Sequence, residues 1–505
     1  MSVLLEIFLV AAYASIFIYL ISVMKFFECE GISRNAIKSV FILKVFFGIA
    51  MSLIYTYYYT DRSTADIYKY FDDSKVMFDA LFTKPIDYFQ MLFGIKNDTP
   101  YFDSYYNQMN NWYREYDSNL YNDSHTIIRF NVVVRLFSMG FYNVHTVFMC
   151  FLSLLGLTAI YKTFILVMKE KSLLLFGAVF LFPSVLFWGS GVLKEGLLFF
   201  SLGFLIYYAQ KIIIGEWNIK NIFWILFSIA LLALTKFYVA IAVIPALVAN
   251  FWIKQTGNKK VLLKYITLYI IFFAIGLSFT NSLKVLVQKQ KDFINLANGG
   301  TYLQRITPEK TDTIYIASEF HDQLKLDKKS KSASITGEIN SCKIWNNGSL
   351  GEETVFENDT TTNFRLLLDY GKTGSNIEIQ KLEPNILSFL KATPKALYNT
   401  FFRPFFFESF SPFTLMAGFE NLFILLLTLV AIIFADKKVF REKMFWLCVF
   451  FTLIIFALTG LITPVIGAIV RYKIAALPML LIALLMIADK ERIIKKFPLL
   501  KELFR

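Results

Sequence analysis

The sequence predicts an all-α polytopic membrane protein with about eleven transmembrane helices and a small mixed or β-containing external insertion. Three observations carry that prediction. Apolar residues make up 56% of the chain and charged residues 18%, a balance shifted well away from soluble domains. Long apolar runs recur, each near the ~20 residues an α-helix needs to cross a ~30 Å hydrocarbon core. The runs do not alternate in ten-residue pieces, so a helical bundle is expected rather than a barrel.

The expected spans are 3–24, 39–60, 142–168, 172–188, 192–214, 220–235, 237–253, 262–280, 413–434, 444–461 and 464–488. The first has no basic residue before it and carries Glu6 inside it, which reads as a retained helix rather than a cleaved leader. Cys29, Cys150, Cys342 and Cys448 are scattered, giving no disulfide framework. His125, His145 and His321 lie too far apart for a zinc motif. The net charge of +13 sits mostly in short loops between apolar runs. There it is an orientation signal rather than a nucleic-acid footprint.

Those basic loops (25–38, 169–171, 211–220, 254–264, 437–443 and the tail from 490) all fall on one side of an eleven-helix chain. The positive-inside rule makes that side cytoplasmic, with the N-terminus outside and the C-terminus inside. Two large hydrophilic segments are then external: 61–125, with eleven acids against six bases, and 281–395, with fourteen acids against fifteen bases. The chain accordingly divides into an N-terminal bundle (1–280, including 61–125), an external insertion (281–395) and C-terminal helices with a cytoplasmic tail (396–505). In the insertion, TIYIASEF (313–320) and SASITGEI (332–339) alternate as strands do, and NNGS (346–349) is turn-like. The tyrosine-rich 61–125 places aromatics at headgroup level. The piece 126–139, with Arg129 and Arg135, reads as a surface or partly inserted helix, with a full span as the competing reading.

Within TDRSTADIYKYFDDSKVMFDA (60–80), a helix puts Asp66 and Asp73 on nearly one face, with Lys69 and Tyr70 between them and Asp72 about 100° away. Such acids can act as a general base toward a sugar hydroxyl or hold a divalent metal ion, Mg or Mn. The plain alternative is a solvated charged face. In FPSVLFWGSGVLKEG (182–196), the consecutive Lys194 and Glu195 point about 100° apart on a helix and do not pair with each other. Ser190 is a candidate N-cap. Gly189, Ser190, Gly191, a helix N-terminus and Lys194 together describe a phosphate cradle, although the GK[ST] ending of a Walker motif is missing. Lysine snorkelling at the interface is the alternative. Lys236, Arg403, Arg471 and Lys473 map with Lys194 to the same external face, against the positive-inside tendency, and point to an anionic ligand.

The acidic first external loop (Asp66, Asp72, Asp73), FPSVLFWGSGVLKEG, FFRPFFFES (401–409) and VRYKIAALP (470–478) together resemble multi-pass glycosyltransferase-like proteins of bacterial surface-polysaccharide clusters. More distantly, the combination is similar to the GT-C superfamily. The resemblance covers most membrane segments but not 281–395. It implies a polyprenyl-phosphate-linked sugar donor, a glycan acceptor and a site at the outer face of the cytoplasmic membrane. It also implies an acid of the first loop (Asp66, or Asp72 with Asp73) as base or metal ligand, and donor-phosphate contacts from Lys194, Arg403 and Arg471, with Glu195 beside Lys194 and with Lys236 and Lys473 on the same face. The acidic loop here follows the second expected helix rather than the first. The leading expectation is a GT-C-like transferase. Alternatives are an O-antigen-polymerase-like enzyme, a lipid-linked glycan transporter or flippase, and a non-catalytic assembly protein that binds a partner through 281–395.

Overall fold

The computed structural model describes the chain except residues 1, 61, 63–64, 114–120, 280–281, 308–310, 328–329, 337–338, 340–341, 347–348, 354–362, 409–410 and 505. Among the described residues, eight helices are long and apolar enough to cross a membrane: Val3–Val23, Arg34–Tyr57, Tyr142–Val167, Lys194–Ile214, Ile219–Thr256, Val261–Ser278, Phe413–Ile433 and Lys443–Ile462. A ninth is added if Ile466–Ala475 and Leu477–Ile487, bent by 63°, count as one span. The expected eleven are therefore not all found as continuous helices.

Three expected spans depart from the simple pattern for local reasons. Segment 172–188 is broken into a short helix Ser172–Phe176, a π turn Gly177–Leu181 and a short helix Pro183–Trp188. Pro183 has no N–H to continue the ladder and drives Phe182 into extended backbone (φ −66°, ψ 125°). The spans expected at 220–235 and 237–253 instead form one assigned helix of 38 residues, interrupted by non-helical backbone at Lys236 (φ −149°, ψ 77°). In a straight helix Trp217 and Phe251 would stand roughly 51 Å apart. Their ring centroids are 6.5 Å apart, so the chain folds back at Lys236.

The basic loops meet at one end of the bundle. Lys162 donates to the carbonyls of Phe26 and Glu28, Lys169 pairs with Glu30, Lys171 donates to the carbonyls of Leu485 and Ala488, and Tyr265 donates to that of Lys443. At the opposite end lies the insertion, a seven-stranded antiparallel sheet. Its strands are β1 (Gly300–Ile306), β2 (Thr311–Ala317), β3 (Leu324–Asp327), β4 (Ser332–Ile335), β5 (Cys342–Asn346), β6 (Ser349–Glu353) and β7 (Asn363–Tyr370). The order is β3-β4-β7-β1-β2-β5-β6, around a small apolar core that includes Leu303, Ile314, Ile335 and Leu366. The turn expected at NNGS has its central residues, 347 and 348, outside the described set, and the flanking β5 and β6 pair Asn346 with Ser349.

The sheet is tied to the bundle. Buried Gln290 donates to the carbonyls of Leu461 and Gln380 and accepts from the Leu382 N–H, while Ile377 N–H donates to Pro464 and Ile466 N–H to Ser375. Segment 126–139 forms most of a 15-residue helix, Ser124–Ser138, that Met139 terminates; it is shorter than a full span. Its two arginines face inward: Arg135 bonds Ser74 Oγ and the Phe71 carbonyl, and Arg129 bonds the Met91 carbonyl.

The fold-back at Lys236 predicts that single cysteines at Glu216 and Gln255, in a background free of native cysteine, are labelled by an impermeant maleimide from the same side of sealed vesicles. Labelling from opposite sides would mean that Ile219–Thr256 crosses once.

Candidate functional site

At the sheet-bearing end, three segments far apart in sequence meet at one guanidinium. Arg471 Nε and Nη2 donate to the two carboxylate oxygens of Glu195 at 2.8 and 3.2 Å, and its Nη1 donates to Asp66 Oδ2 at 2.8 Å. The two-point contact uses the planar fork of arginine, which a lysine cannot reproduce. The group is buried on one side and open on the other: the Glu195 side chain is 1% exposed, Arg471 16% and Asp66 40%. Trp188 lies under the guanidinium, with its ring centre 5.7 Å from Cζ.

Each partner is positioned by its backbone. Glu195 is the second residue of Lys194–Ile214, where the positive end of the helix dipole favours a carboxylate. That helix approaches Tyr142–Phe164 closely because Gly156 and Gly203 face each other; a Cβ on Gly203 would lie 2.0 Å from the Gly156 carbonyl oxygen. Asp66 opens the helix Asp66–Thr83, another dipole-favoured place for an acid. Arg471 is in the last turn of the short helix Ile466–Tyr472 on the broken span.

Lys194 and Glu195 take different partners, as the helical angle between them requires. Lys194 Nζ donates to Asp123 Oδ1 at 2.7 Å and to Ser124 Oγ at 3.2 Å, and lies 5.2 Å from the Tyr70 ring centre. Its place at the helix N-terminus is tolerable because Asp123 supplies the anion. Lys236, at the apex of the folded-back helix, stacks over Tyr472 at 4.7 Å and acts electrostatically on Glu195. Among the described residues it has no hydrogen-bond or ion-pair partner. Asp123 is the one acid of this cluster that sequence reasoning missed; its position just before a helix, at the end of an acidic loop, was the available signal.

The remaining candidates lie elsewhere. Asp72 pairs with Arg62 at 2.7 Å on the surface. Asp73, nearly fully buried, accepts from the Asn110 and Asn111 backbone N–H groups and from Asn110 Nδ2 at 2.7 to 3.1 Å, shaping a turn rather than facing Arg471. Arg403 pairs with Glu408 at 2.9 Å. Lys473, 1% exposed, is locked between helices by Asn421 Oδ1 at 2.7 Å and the Thr400 carbonyl at 3.2 Å. Nearby, Glu420 accepts from the backbone N–H and hydroxyl of Ser184.

The phosphate-cradle reading of Gly189–Ser190–Gly191 is corrected. Gly189 O accepts from the buried Lys44 at 2.9 Å and Ser190 Oγ donates to the Leu186 carbonyl, while a Cβ on Gly191 would meet Met51 Sδ at 2.4 Å. The glycines serve close packing. The residue at the N-cap of Lys194–Ile214 is Leu193, not Ser190, and no side chain caps it.

Electrostatics separate the two acids of Asp66–Thr83. Burial raises the proton affinity of Asp66, but the Arg471 guanidinium, helped by Lys194 and Lys69, outweighs it and lowers the carboxyl to about 2. Asp73 is pushed up to about 6 because burial outweighs its three hydrogen bonds. No cluster of three or more His, Cys, Asp or Glu that could hold a metal ion occurs among the described residues.

No family model, curated protein or solved structure matches the chain. The site's own chemistry is an acid with an exposed edge, held beside a partly buried arginine, with a lysine on an aromatic ring close by.

Arg471→Ala leaves Glu195 buried without its hydrogen-bonded ion-pair partner and is expected to lower stability in detergent unfolding by about 3 kcal/mol or more, whereas Asp72→Asn, at an exposed pair, costs less than about 1 kcal/mol. Asp73 has a folded pKa above its unfolded value, so its contribution is present below about pH 4 and is lost as pH rises through about 6. The unfolding midpoint of the wild type relative to Asp73→Asn is expected to fall across that window.

Proposed function

We propose that the protein is a membrane glycosyltransferase, GT-C-like, that takes sugar from a polyprenyl-phosphate-linked donor to a glycan acceptor in cell-surface polysaccharide or glycoconjugate assembly. The observation that carries this reading is the Asp66–Arg471–Glu195 cluster with Lys236 beside it, at the end of the bundle opposite the basic loops. If those loops are cytoplasmic, the cluster stands at the outer face of the cytoplasmic membrane, where a lipid-linked phosphate would lie.

The charge arrangement supports a definite order of events. While Asp66 is paired with Arg471 its carboxyl sits at about 2, too acidic to be a good base. A donor phosphate drawn to Lys236 and to the outward N–H groups of Arg471 competes with Asp66 for the guanidinium. Released, Asp66 gains proton affinity and takes the proton from the acceptor hydroxyl. The acceptor oxygen bonds to the anomeric carbon as its bond to the phosphate oxygen breaks, and the departing polyprenyl phosphate keeps the electron pair and is stabilised by Arg471, Lys236 and Lys194. Glu195 remains on Arg471 throughout and fixes its plane. A divalent ion, Mg or Mn, would add to the phosphate charge stabilisation if the reaction uses one.

One observation favours a second reading. The span that carries Arg471 and Lys473 is broken and bent by 63°, the kind of discontinuous helix transporters place at substrate sites. A flippase for lipid-linked glycans would use the same cations without Asp66 as base.

Both readings meet in one experiment. In proteoliposomes supplied with lipid-linked sugar and acceptor, Asp66→Asn is expected to lower glycan formation by about 100-fold or more, with Asp72→Asn close to wild type. Full product formation by Asp66→Asn would sink the acid–base scheme. Transbilayer movement of the donor without product, unaffected by Asp66→Asn, would favour the transporter.

A further inference from the structure

The helix Pro85–Phe93 is amphipathic in the wrong sense for water. It buries Asp87, Tyr88 and Met91 and exposes Ile86 (74%), Phe89 (50%) and Phe93 (66%). The exposed residues fall at i, i+3 and i+7, a single face. The buried acid is satisfied from within, since Tyr101 and Tyr105 both donate to Asp87 Oδ2 at 2.8 Å. A helix bordering water places its carboxylate outside and its phenylalanines inside, and a contiguous exposed apolar face of this size marks a contact surface.

The neighbouring elements extend that face toward the membrane spans. Phe82, 74% exposed, ends the preceding helix one turn before Ile86. Arg129 joins Pro85–Phe93 to the helix Ser124–Ser138 through the Met91 carbonyl, and that helix exposes Val133, Leu136 and Phe137. Its C-terminal end is fixed beside the first apolar span, because Tyr13 donates to the Phe137 carbonyl at 2.9 Å. Tyr13 lies about 10 Å along its helix from Glu6, and Glu6 accepts from Asn143 at the start of Tyr142–Phe164. Phe137 is therefore held within the apolar length of the span, not above it. Farther along the preceding helix, toward Asp66 and on the stripe that leads to Phe82, polar pairs face outward: Arg62 with Asp72 and Lys75 with Asp79. Lys84 and Lys96 flank Pro85–Phe93 at its two ends.

We propose that the elbow formed by Asp66–Thr83 and Pro85–Phe93 is a lipid-docking surface, with Phe82, Ile86, Phe89 and Phe93 seated among the acyl chains of the outer leaflet and Lys84 and Lys96 at phosphate level. Continuity with the lipid-facing spans, through Tyr13 and Phe137, favours a bilayer over a soluble partner as the occupant. An interfacial helix with apolar residues on one face and lysines at its margins binds lipid through both terms. The consequence for the charged cluster is positional. Asp66 lies at the far end of the same helix that ends in Phe82, so anchoring Phe82 in lipid fixes the height of Asp66 relative to the headgroups. This surface is independent of which reaction the cluster performs.

The test is spin-label accessibility in the full-length protein with its native cysteines replaced, reconstituted in nanodiscs of phosphatidylethanolamine and phosphatidylglycerol. Labels at Phe89→Cys and Phe93→Cys are expected to collide with oxygen more than with a water-soluble nickel chelate, and a label at Lys75→Cys the reverse. Ile86→Cys repeats the measurement if either of the first two variants fails to fold. Chelate-dominated collisions at positions 89 and 93 would overturn the proposal. So would protection from both reagents in bilayer and detergent alike, which would mean that a protein surface, such as a second copy of the chain, covers the face.

Discussion

The three-way contact of Arg471 with Glu195 and Asp66 is the constraint around which the sheet-bearing end is arranged. A guanidinium and a carboxylate taken out of water lose several kcal/mol of hydration each, recovered only if the geometry is good and the remaining donors are used. Here the fork matches both Glu195 oxygens, and the third contact goes to Asp66. Meeting those distances requires the N-terminal ends of two helices and the end of a third to converge. The break after Ile466–Ala475 lets this happen: a straight span would carry Arg471 along one axis with its neighbours, whereas the bend brings the residue to the other two helix ends.

The same break ties two polar centres together. Arg471 faces the Asp66 cluster, and Lys473, two residues on, is gripped by Asn421 and the Thr400 carbonyl. Glu420, beside Asn421 in sequence, holds Ser184 at the start of Pro183–Trp188, the short helix that ends in Trp188 under Arg471. Movement of Arg471 therefore carries strain in two directions, through Lys473 to the helix bearing Asn421 and through Trp188 to the helix that Glu420 caps. In the proposed transfer Arg471 keeps Glu195 and exchanges only Asp66. The exchange is local because the other contacts hold the backbone still.

Much of this was legible in the sequence. Apolar run lengths give most of the helices, and the alternation in 313–320 and 332–339 gives β2 and β4. The angular separation of Lys194 and Glu195 showed that they would not pair, and an excess of cations on one face singled out Lys194, Lys236 and Arg471, together with Arg403 and Lys473, whose contacts lie outside the cluster. What run length could not show is backbone continuity. Pro183 and Lys236 break or reverse the chain inside stretches that are apolar enough to read as spans. Nor could spacing show which acid meets which base. Asp66 and Asp73 fall on nearly one helical face, yet Asp73 is captured by the backbone of Asn110 and Asn111, thirty-seven and thirty-eight residues away. The glycines of 189–191 misled because close helix packing and a phosphate cradle ask for the same residue.

The sheet is more than an appendage to this arrangement. Its return segment bonds to the loop that precedes the arginine helix, through Ile377 to Pro464 and Ser375 to Ile466. The helix that leads into the sheet places Phe293 6.2 Å from the Tyr472 ring, which in turn stacks under Lys236. Lys331, between β3 and β4, and Arg365, on β7, reach Asn107 of the acidic loop, in the turn region that Asp73 organises. The sheet thus touches both sides of the charged cluster, the helix that supplies the arginine and the loop that follows the acid. The two sets of contacts, through the arginine helix and through the acidic loop, close on the 2.8 Å contact between Arg471 and Asp66.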